Sequence, residues 1–556
     1  MGSRPLPIID VKPMLQGTTE YEAERLPILA EISANIPEEW YLPQDLIDNA
    51  PKDVSNIPST CGLLNAEELE ITEAYDATGL AEALAARKYT AVTVVKAFIK
   101  RAAIAHQLVR CMSQFFPQAA IEQAARLDQH LLKTGKTVGP LHGVPVTIKE
   151  HMAIAGQTSS FGMLSLRFPD DKDCQMVDIL RKAGAVFFCK TNQPQAIMHM
   201  ECSSYYGRTL SPYNINLSPG GSSGGESSLI ALKGSVIGIG SDIGGSIRAP
   251  AAFCGLYGWK PSTGLLPMLR MLRGAMPAEL NVEASAGPLG RSLRDMDLIN
   301  RVTVESKPWL EDPKMIPTTW TGLKTAVPRR LKVGILDNDG FVDPQPPIKR
   351  GMAWVRKLLS DPKYSDLIEV KDFQQYKAAE ALDLIKRLFL PDSGLGIVAA
   401  VEATGEPILP LTQVLLPKGG KLGDVYDVNN LRFERDTFRT EYLEHWNAQD
   451  VDVVIGPGHV GTAQEHDKTR HWAYTTIWNL VDFPGLSFPT PLKSEKGEKY
   501  APDYKPLSDD CRLVKEAWDE GDFEGAPVGL QINARKHHDN DLFGAMAVLK
   551  DILSLP

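Results

Sequence analysis

Apolar positions in the first part of the chain recur at the spacing of α-helices. Within Thr93–Gln107, the apolar residues at helical spacing are Val94, Val95, Phe98, Ile99, Ala102 and Ile104. The same pattern predicts helices over three earlier ranges: Tyr21–Ile36, Ala66–Ala74 and Gly79–Ala86. We therefore expect residues 1–110 to form an N-terminal helical extension.

From Val144 onward the pattern changes to short apolar runs that alternate with helical segments. The clearest runs are Val144–Ile148, Ala185–Cys189, Val236–Ile239, Leu331–Leu336 and Val451–Ile455. Short strands that are apolar throughout are typical of a largely parallel sheet covered by helices on both faces. The sequence therefore predicts an α/β fold.

Length and pattern together suggest the domain organisation. A chain of 556 residues exceeds the size at which one compact core usually stops growing, which leaves two domains or one elaborated α/β domain. We expect residues 111–556 to form the main domain. Within it, residues 340–446 are rich in helical pattern and contain no strand pattern of equal strength. We interpret this segment as an insertion that walls the functional site.

Composition and charge limit the classes of partner. Hydrophobic residues make up 43% of the chain and charged residues 23%, which are ordinary values for a globular protein. The formal net charge of −10 is spread along the chain, which argues against nucleic acid or an anionic membrane as the partner. A small neutral substrate fits this charge better.

The sequence also argues against export and against a metal site. Met1–Asp10 lacks the apolar core of a signal peptide, and no apolar run approaches the length of a membrane span. The seven cysteines are scattered and never form a C-x-x-C pair, so neither a disulfide framework nor a zinc site is expected. The eleven histidines show no metal-binding spacing. We expect a cytoplasmic protein that binds no metal.

The strongest chemical signal lies in Ser218–Pro250, where two clusters of glycine and serine flank an apolar helix and strand. Such composition usually indicates a flexible linker, but linkers do not run directly into buried helices and strands. A phosphate loop would require a Gly-Lys-Ser/Thr ending, which is missing. Gly220-Gly-Ser-Ser-Gly224 formally fits the G-x-S-x-G turn of Ser-His-Asp hydrolases. That turn follows an apolar strand, whereas Ser211–Pro219 is polar, so Ser-His-Asp chemistry is the runner-up.

Ser246 is the better candidate nucleophile. It follows two glycines after the apolar run Val236–Ile239 and precedes a helical segment, which places it at a strand-to-helix turn. Free backbone amides at such a turn can stabilise a developing oxyanion, and the helix N-terminus adds a favourable partial charge.

A serine nucleophile needs a base, and no histidine neighbours either cluster. A lysine can act as the base only if burial lowers its pKa. Lys149 ends the apolar run Leu141–Lys149 and is therefore the candidate. Ser222 could then relay a proton between Ser246 and Lys149.

Three separated motifs resemble those of the amidase signature family and occur in the family's order: Val144–Lys149, Gly220–Glu226 and Gly240–Pro250. Three further segments resemble the branch that holds fungal acetamidases and fatty acid amide hydrolase: Lys190–Gln195, Gly207–Thr209 and Phe253–Pro261. The resemblance implies an α/β/α sandwich with a central mixed, largely parallel sheet, and makes residues 111–556 its catalytic domain.

The resemblance also implies roles for single residues. Lys149 would be the base, Ser222 a relay preceded by a cis peptide bond and in contact with substrate, and Ser246 the acylated nucleophile. The backbone amides expected to form the oxyanion hole are those of Ile243, Gly244, Gly245 and Ser246. The remaining expectations are that Ser223, Asp242 and Arg248 support the loops and that Ile197 lies beside the substrate.

The reaction implied is hydrolysis of a small carboxamide to a carboxylic acid and ammonia or an amine, without a metal or organic cofactor. A homodimer is possible by analogy with relatives. The same acyl-enzyme would also serve an ester hydrolase or an amide-forming or cyclising acyltransferase. A non-catalytic protein that kept the fold is a further alternative, and the presence of Lys149, Ser222 and Ser246 together argues against it.

Overall fold

The computed structural model describes residues 4–271, 281–328, 330–417, 423–469 and 471–556. Its first part is helical, as the apolar spacing predicts. The helices that precede the first strand are α1 (Thr19–Ala34), α2 (Gln44–Asp48), α3 (Ile57–Thr60), α4 (Ala66–Glu73), α5 (Ala77–Ala85) and α6 (Ala91–Val109). Local capping sets these bounds. For α6, the Thr90 hydroxyl accepts a hydrogen bond from the N–H of Thr93, and Arg110 ends the helix in a left-handed conformation.

The strands of the described residues are distributed along the rest of the chain. They are β1 (Met112–Phe115), β2 (Pro145–Lys149), β3 (Thr158–Ser159), β4 (Phe168–Pro169), β5 (Val186–Thr191), β6 (Ser203–Ser204), β7 (Gly207–Arg208), β8 (Ile237–Asp242), β9 (Tyr257–Lys260), β10 (Ser285–Gly290), β11 (Leu331–Ile335), β12 (Ile368–Asp372), β13 (Val453–Pro457), β14 (Gly485–Lys493) and β15 (Pro527–Asn533). Eleven of them form one sheet in the order β1-β5-β2-β8-β10-β9-β14-β15-β13-β11-β12.

Helices connect and cover these strands. They are α7 (Pro117–Thr134), α8 (Gln175–Lys182), α9 (Gly224–Ala231), α10 (Arg248–Phe253), α11 (Leu293–Glu305), α12 (Pro346–Leu359), α13 (Ala378–Phe389), α14 (Leu395–Glu402), α15 (Pro410–Leu415), α16 (Val425–Ala448), α17 (Ala473–Leu480), α18 (Asp509–Glu520) and α19 (Asp539–Leu553). Every residue of β2, β5 and β8 is buried. Because successive side chains of a strand point to opposite faces, both faces of the sheet are covered at these strands. The predicted α/β architecture with a mixed sheet is confirmed.

The sheet is less parallel than the apolar runs predict. The five strands predicted from sequence, β2, β5, β8, β11 and β13, all take part in parallel pairings. However, six of the ten pairings in the described sheet are antiparallel, and most of these involve β9, β10, β14 and β15. These four strands contain glycine, proline or polar residues, as in Ser285-Ala-Gly-Pro-Leu-Gly290, which weakens their strand pattern.

The segment 340–446 also contains a strand that the sequence pattern does not predict. β12 pairs with β11 in parallel at the edge of the sheet. Its sequence, Ile-Glu-Val-Lys-Asp, is only partly buried, as is usual for an edge strand. Among the helices of the described ranges, none combines the length and apolar character needed to cross a lipid bilayer.

Candidate active site

The site lies where β2 and β8 end. These two strands are parallel neighbours, so their carboxyl ends meet at the same edge of the sheet. Lys149 is the last residue of β2 and Asp242 the last of β8. The topology therefore brings Lys149 next to the turn that carries Ser246, although 97 positions separate them in the sequence.

Lys149 is fully buried, and its ammonium nitrogen contacts two hydroxyl groups. Nζ lies 2.6 Å from Oγ of Ser222 and 3.2 Å from Oγ of Ser241. Burial lowers the pKa of Lys149 to about 7, because removal from water disfavours the charged amine. Near neutral pH a large fraction of this lysine is therefore unprotonated and has a lone pair that can accept a proton.

Ser222 lies in the glycine-serine loop that leads into α9. The peptide bond between Gly221 and Ser222 is cis, the form that the family resemblance implies. Gly220 has a φ of 82°, in the region that favours glycine. The N–H of Ser223 donates to the carbonyl oxygen of Ser246 at 3.1 Å, so a backbone hydrogen bond joins the Ser222 loop directly to the Ser246 turn.

Ser246 occupies the turn between β8 and α10, as the sequence predicts. Its side chain makes no hydrogen bond within the described ranges, and it lines a cavity. The preceding Gly245 has a φ of 123°, and a Cβ there would collide with Thr475 and Met200. The hydroxyl of Thr475 on α17 donates to the carbonyl oxygen of Gly244 at 2.7 Å. Glycine is therefore required at position 245, and α17 fixes the turn from outside.

A buried ion pair holds the same turn. The Arg248 guanidinium donates to both carboxylate oxygens of Asp242, each at 3.0 Å. Asp242 also accepts from the N–H groups of Gly245 and Ile247 at 2.7 and 3.1 Å, and from the side chain of Asn479 at 2.9 Å. Burial alone would raise the pKa of Asp242, but the adjacent Arg248 holds it well below its usual range. Asp242 is therefore ionised and organises the turn.

The backbone amides predicted for an oxyanion hole differ in availability. The N–H of Gly245 already donates to Oδ1 of Asp242. In contrast, the N–H groups of Ile243, Gly244 and Ser246 have no acceptor among the residues that the structure describes. Three of the four predicted amides are thus free to bind a negatively charged oxygen, and the fourth stabilises the turn.

Ile197 is placed near the site but not on the wall of its cavity. It belongs to the buried apolar cluster that also contains Met198, Met200 and Phe389. The residues that line the cavity in front of Ser246 include these three neighbours and not Ile197.

Sequence reasoning missed two polar residues around Lys149. Ser241, the second hydroxyl partner of Lys149, lies within the motif Gly240–Pro250 and directly precedes the residue that ends β8. Glu226, the last residue of the motif Gly220–Glu226, is buried and accepts hydrogen bonds from the hydroxyls of Thr147 and Thr191 at 2.6 and 2.9 Å. Burial raises the pKa of Glu226 to about 8. Both residues lie within the family motifs, which could have drawn attention to them. Their hydrogen-bond partners can be identified only from the structure.

The described residues offer no metal site. They contain no group of three or more histidine, cysteine, aspartate or glutamate side chains placed to hold an ion.

Comparison with known proteins places these features in context. A family model described as Amidase matches residues 93–543. An amidase homologue of Schizosaccharomyces pombe is 42% identical over 534 residues, or 94% of this chain and 98% of that protein. An acetamidase of Emericella nidulans is 36% identical over 521 residues, or 91% of this chain and 93% of the relative. A solved structure of fatty acid amide hydrolase has a TM-score of 0.89 at 32% identity, covering 97% of this chain and 96% of that chain. All three motifs lie inside the matched region.

Proposed function

The chain belongs to the amidase family and is an amidase, and we propose that it cleaves a carboxamide through a Ser-Ser-Lys triad with an acyl-enzyme on Ser246. The products would be a carboxylic acid and ammonia or an amine. The observation that carries this proposal is the contact of 2.6 Å between a fully buried lysine, Lys149, and the Ser222 hydroxyl. That lysine has the lowered pKa that a base requires. A backbone hydrogen bond joins the loop of Ser222 to the turn of Ser246.

In the first half of the reaction, neutral Lys149 accepts the hydroxyl proton of Ser222 while Ser222 takes the hydroxyl proton of Ser246. The oxygen of Ser246 then forms a bond to the carbonyl carbon of the amide, and the carbonyl oxygen becomes negatively charged. When the C–N bond breaks, the proton held by Lys149 passes through Ser222 to the leaving nitrogen. Water attacks the resulting ester by the same proton route and releases the acid.

The oxyanion would be held by backbone amides of the turn. The free N–H groups of Ile243, Gly244 and Ser246 are the donors available to it, and the N–H of Gly245 would contribute only by leaving Asp242. Preorganised amides in a site closed to water stabilise such charge without reorganising during the reaction.

The other predicted residues act through position in this proposal. Asp242 and Arg248 hold the turn, and the N–H of Ser223 joins the two loops. Ser222 differs from them, because it would contact the substrate as well as relay the proton. Ile197 would contribute to the substrate site from behind Met198 or Met200. No step of the mechanism needs a metal or an organic cofactor.

Replacement of the nucleophile tests the proposal. Ser246→Ala should lower kcat for a simple aliphatic amide by on the order of 10⁴-fold or more, because the covalent route is lost. The matched control is Ser228→Ala, which removes a buried hydroxyl from α9. That hydroxyl donates to the carbonyl oxygen of Leu210 and, among the described residues, makes no hydrogen bond to a triad side chain. The control should keep most of its activity. Full activity in Ser246→Ala would contradict the assignment.

A further inference from the structure

The cavity in front of Ser246 is very small. Its volume is about 10 Å³, which is room for a single water molecule. Its lining combines the turn residues Ile243, Gly244 and Ser246 with residues from other parts of the chain, namely Met198, His199, Met200, Phe389 and Trp472. Residues from outside the turn therefore help to limit the space next to the nucleophile.

A much larger cavity lies next to the small one and is mostly apolar, with Lys386 and Arg387 among its polar lining residues. Its volume is about 480 Å³, and its lining includes Leu390, Leu415, Leu416 and Leu431. Met198, Phe389 and Trp472 line this outer cavity as well as the small one. These three side chains, which we call the partition, thus separate the nucleophile from a space large enough for a long apolar group.

Phe389 is the part of the partition that contacts the turn most directly. It is the last residue of α13, and its side chain is buried. A Cβ built on Gly244 would lie 3.2 Å from Cζ of Phe389, so the tip of the ring rests against the turn that carries Ser246. The carbonyl oxygen of Leu388, the residue before Phe389, accepts a hydrogen bond of 2.9 Å from the side chain of Asn281. This hydrogen bond anchors the end of α13.

We infer that the partition makes this enzyme selective for short-chain aliphatic amides, with Phe389 as its main specificity-determining residue. The inference rests on the proposed function, because it assumes that the acyl carbon sits at Ser246. Met198 is unbranched and can move to admit an acetyl or propionyl group. Phe389 and Trp472 are rigid aromatic side chains in a packed cluster, so they exclude a longer chain from the outer cavity.

Chain-length selectivity in variants of Phe389 tests the inference. We expect the wild-type enzyme to have a higher kcat/KM for acetamide than for hexanamide. Phe389→Ala joins the two cavities and should raise the hexanamide-to-acetamide ratio by at least about tenfold, since several methylene groups gain an apolar site. Phe389→Leu keeps most of the packed volume, protects the fold, and should shift the ratio in the same direction by a smaller factor.

Leu431 supplies the matched control, because it lines the outer cavity and does not line the small cavity in front of Ser246. Leu431→Phe should leave acetamide hydrolysis by the otherwise wild-type enzyme unchanged. Combined with Phe389→Ala, it should refill the outer cavity and reverse most of the gain on hexanamide. This reversal would show that the longer chain occupies that cavity.

Two results would overturn this inference and leave the triad proposal intact. One is an unchanged hexanamide-to-acetamide ratio of kcat/KM in both Phe389 variants, and the other is a wild-type enzyme that already prefers hexanamide. A third result would have a different meaning. If neither amide were hydrolysed by any form and a fluorophosphonate did not label Ser246, the triad proposal would fail and the inference with it.

Discussion

Lys149 is enclosed on every side and still contacts two hydroxyl groups. A lysine in water keeps its proton well above neutral pH and has no lone pair to offer. In this site, removal from water lowers the pKa of Lys149 to about 7, whereas the ionised carboxylate of Asp242 favours the charged form and limits the shift. The balance leaves a base that is matched to neutral pH.

The pH dependence of the reaction should report this lysine. Because the neutral amine is the active form, kcat/KM should rise as the pH rises through about 7 and level off above it. At pH 5 the rate should be lower than the plateau by roughly a hundredfold, as expected two units below a single pKa. The measurement is a pH–rate profile on a neutral amide, with circular dichroism at each pH as the control for folding. A flat profile from pH 5 to 8 would contradict the role of Lys149.

The site residues differ in how far the sequence could predict them. Lys149 and Ser246 could be proposed from local pattern, since one ends an apolar strand and the other follows two glycines at a predicted turn. The assignment of Ser222 as the relay rests almost wholly on the family resemblance. The engagement of the Gly245 amide by Asp242, and the contact of Ser241 with Lys149, depend on the conformation of the turn and on strand pairing. The order of apolar and polar residues along the chain does not determine the conformation of this turn or the pairing of these strands.

At the scale of elements, the turn between β8 and α10 depends on support from a distant helix. The Arg248 guanidinium, which pairs with Asp242, also donates to the carbonyl oxygen of Thr475 and to the side chain of Asn479 on α17, at 3.0 and 2.6 Å. All of these groups are buried. The turn therefore keeps its shape only when α17 is docked against it.

Loss of the Arg248 guanidinium should reduce both the stability of the fold and the amidase activity. Arg248→Met leaves the Asp242 carboxylate buried without its partner, which should lower the free energy of unfolding by about 3–5 kcal/mol. Chemical denaturation monitored by circular dichroism measures the change. Arg512→Met is the control, because the exposed pair of Arg512 and Glu516 should contribute almost nothing. Equal stability of the two variants would show that the buried pair does not hold the turn.

Elements with a strong apolar pattern could be predicted, and those without one could not. The five predicted strands are buried except at Lys332 of β11, and each takes part in a parallel pairing, where both faces are usually covered and the residues tend to be apolar. β10 and β14 contain glycine and proline, and β12 lies at an exposed edge. Their pairing is determined by neighbours far away in the sequence, so single-sequence periodicity does not detect them.

At the scale of the whole molecule, the fold gathers the site from distant parts of the chain. Lys149, Ser222 and Ser246 come from the matched motifs, Phe389 comes from the segment 340–446, and Trp472 directly precedes α17. The motifs could be read from the sequence, but the two cavities result from long-range packing between helices and could not. That residues 340–446 form an insertion that walls the site stays a prediction, and the segment also supplies β12 to the central sheet.

Several statements about the whole molecule stay predictions. These are the division into a helical extension over residues 1–110 and a catalytic domain over residues 111–556, a cytoplasmic location, and assembly as a homodimer. The helical extension is closely integrated with the sheet domain, since α6 packs against α7 and is buried over most of its length. We therefore expect a fragment that begins at residue 111 to fold poorly.

Site-specific labelling tests the central claim, that Ser246 is the nucleophile and Ser222 the relay. The enzyme is treated with an alkyl fluorophosphonate at several pH values, and the modified peptide is identified by mass spectrometry. We predict a single adduct on Ser246, absent from Ser246→Ala, that forms faster as the pH rises through about 7. An adduct on Ser222, or labelling that is unaffected by Ser246→Ala, would contradict the account.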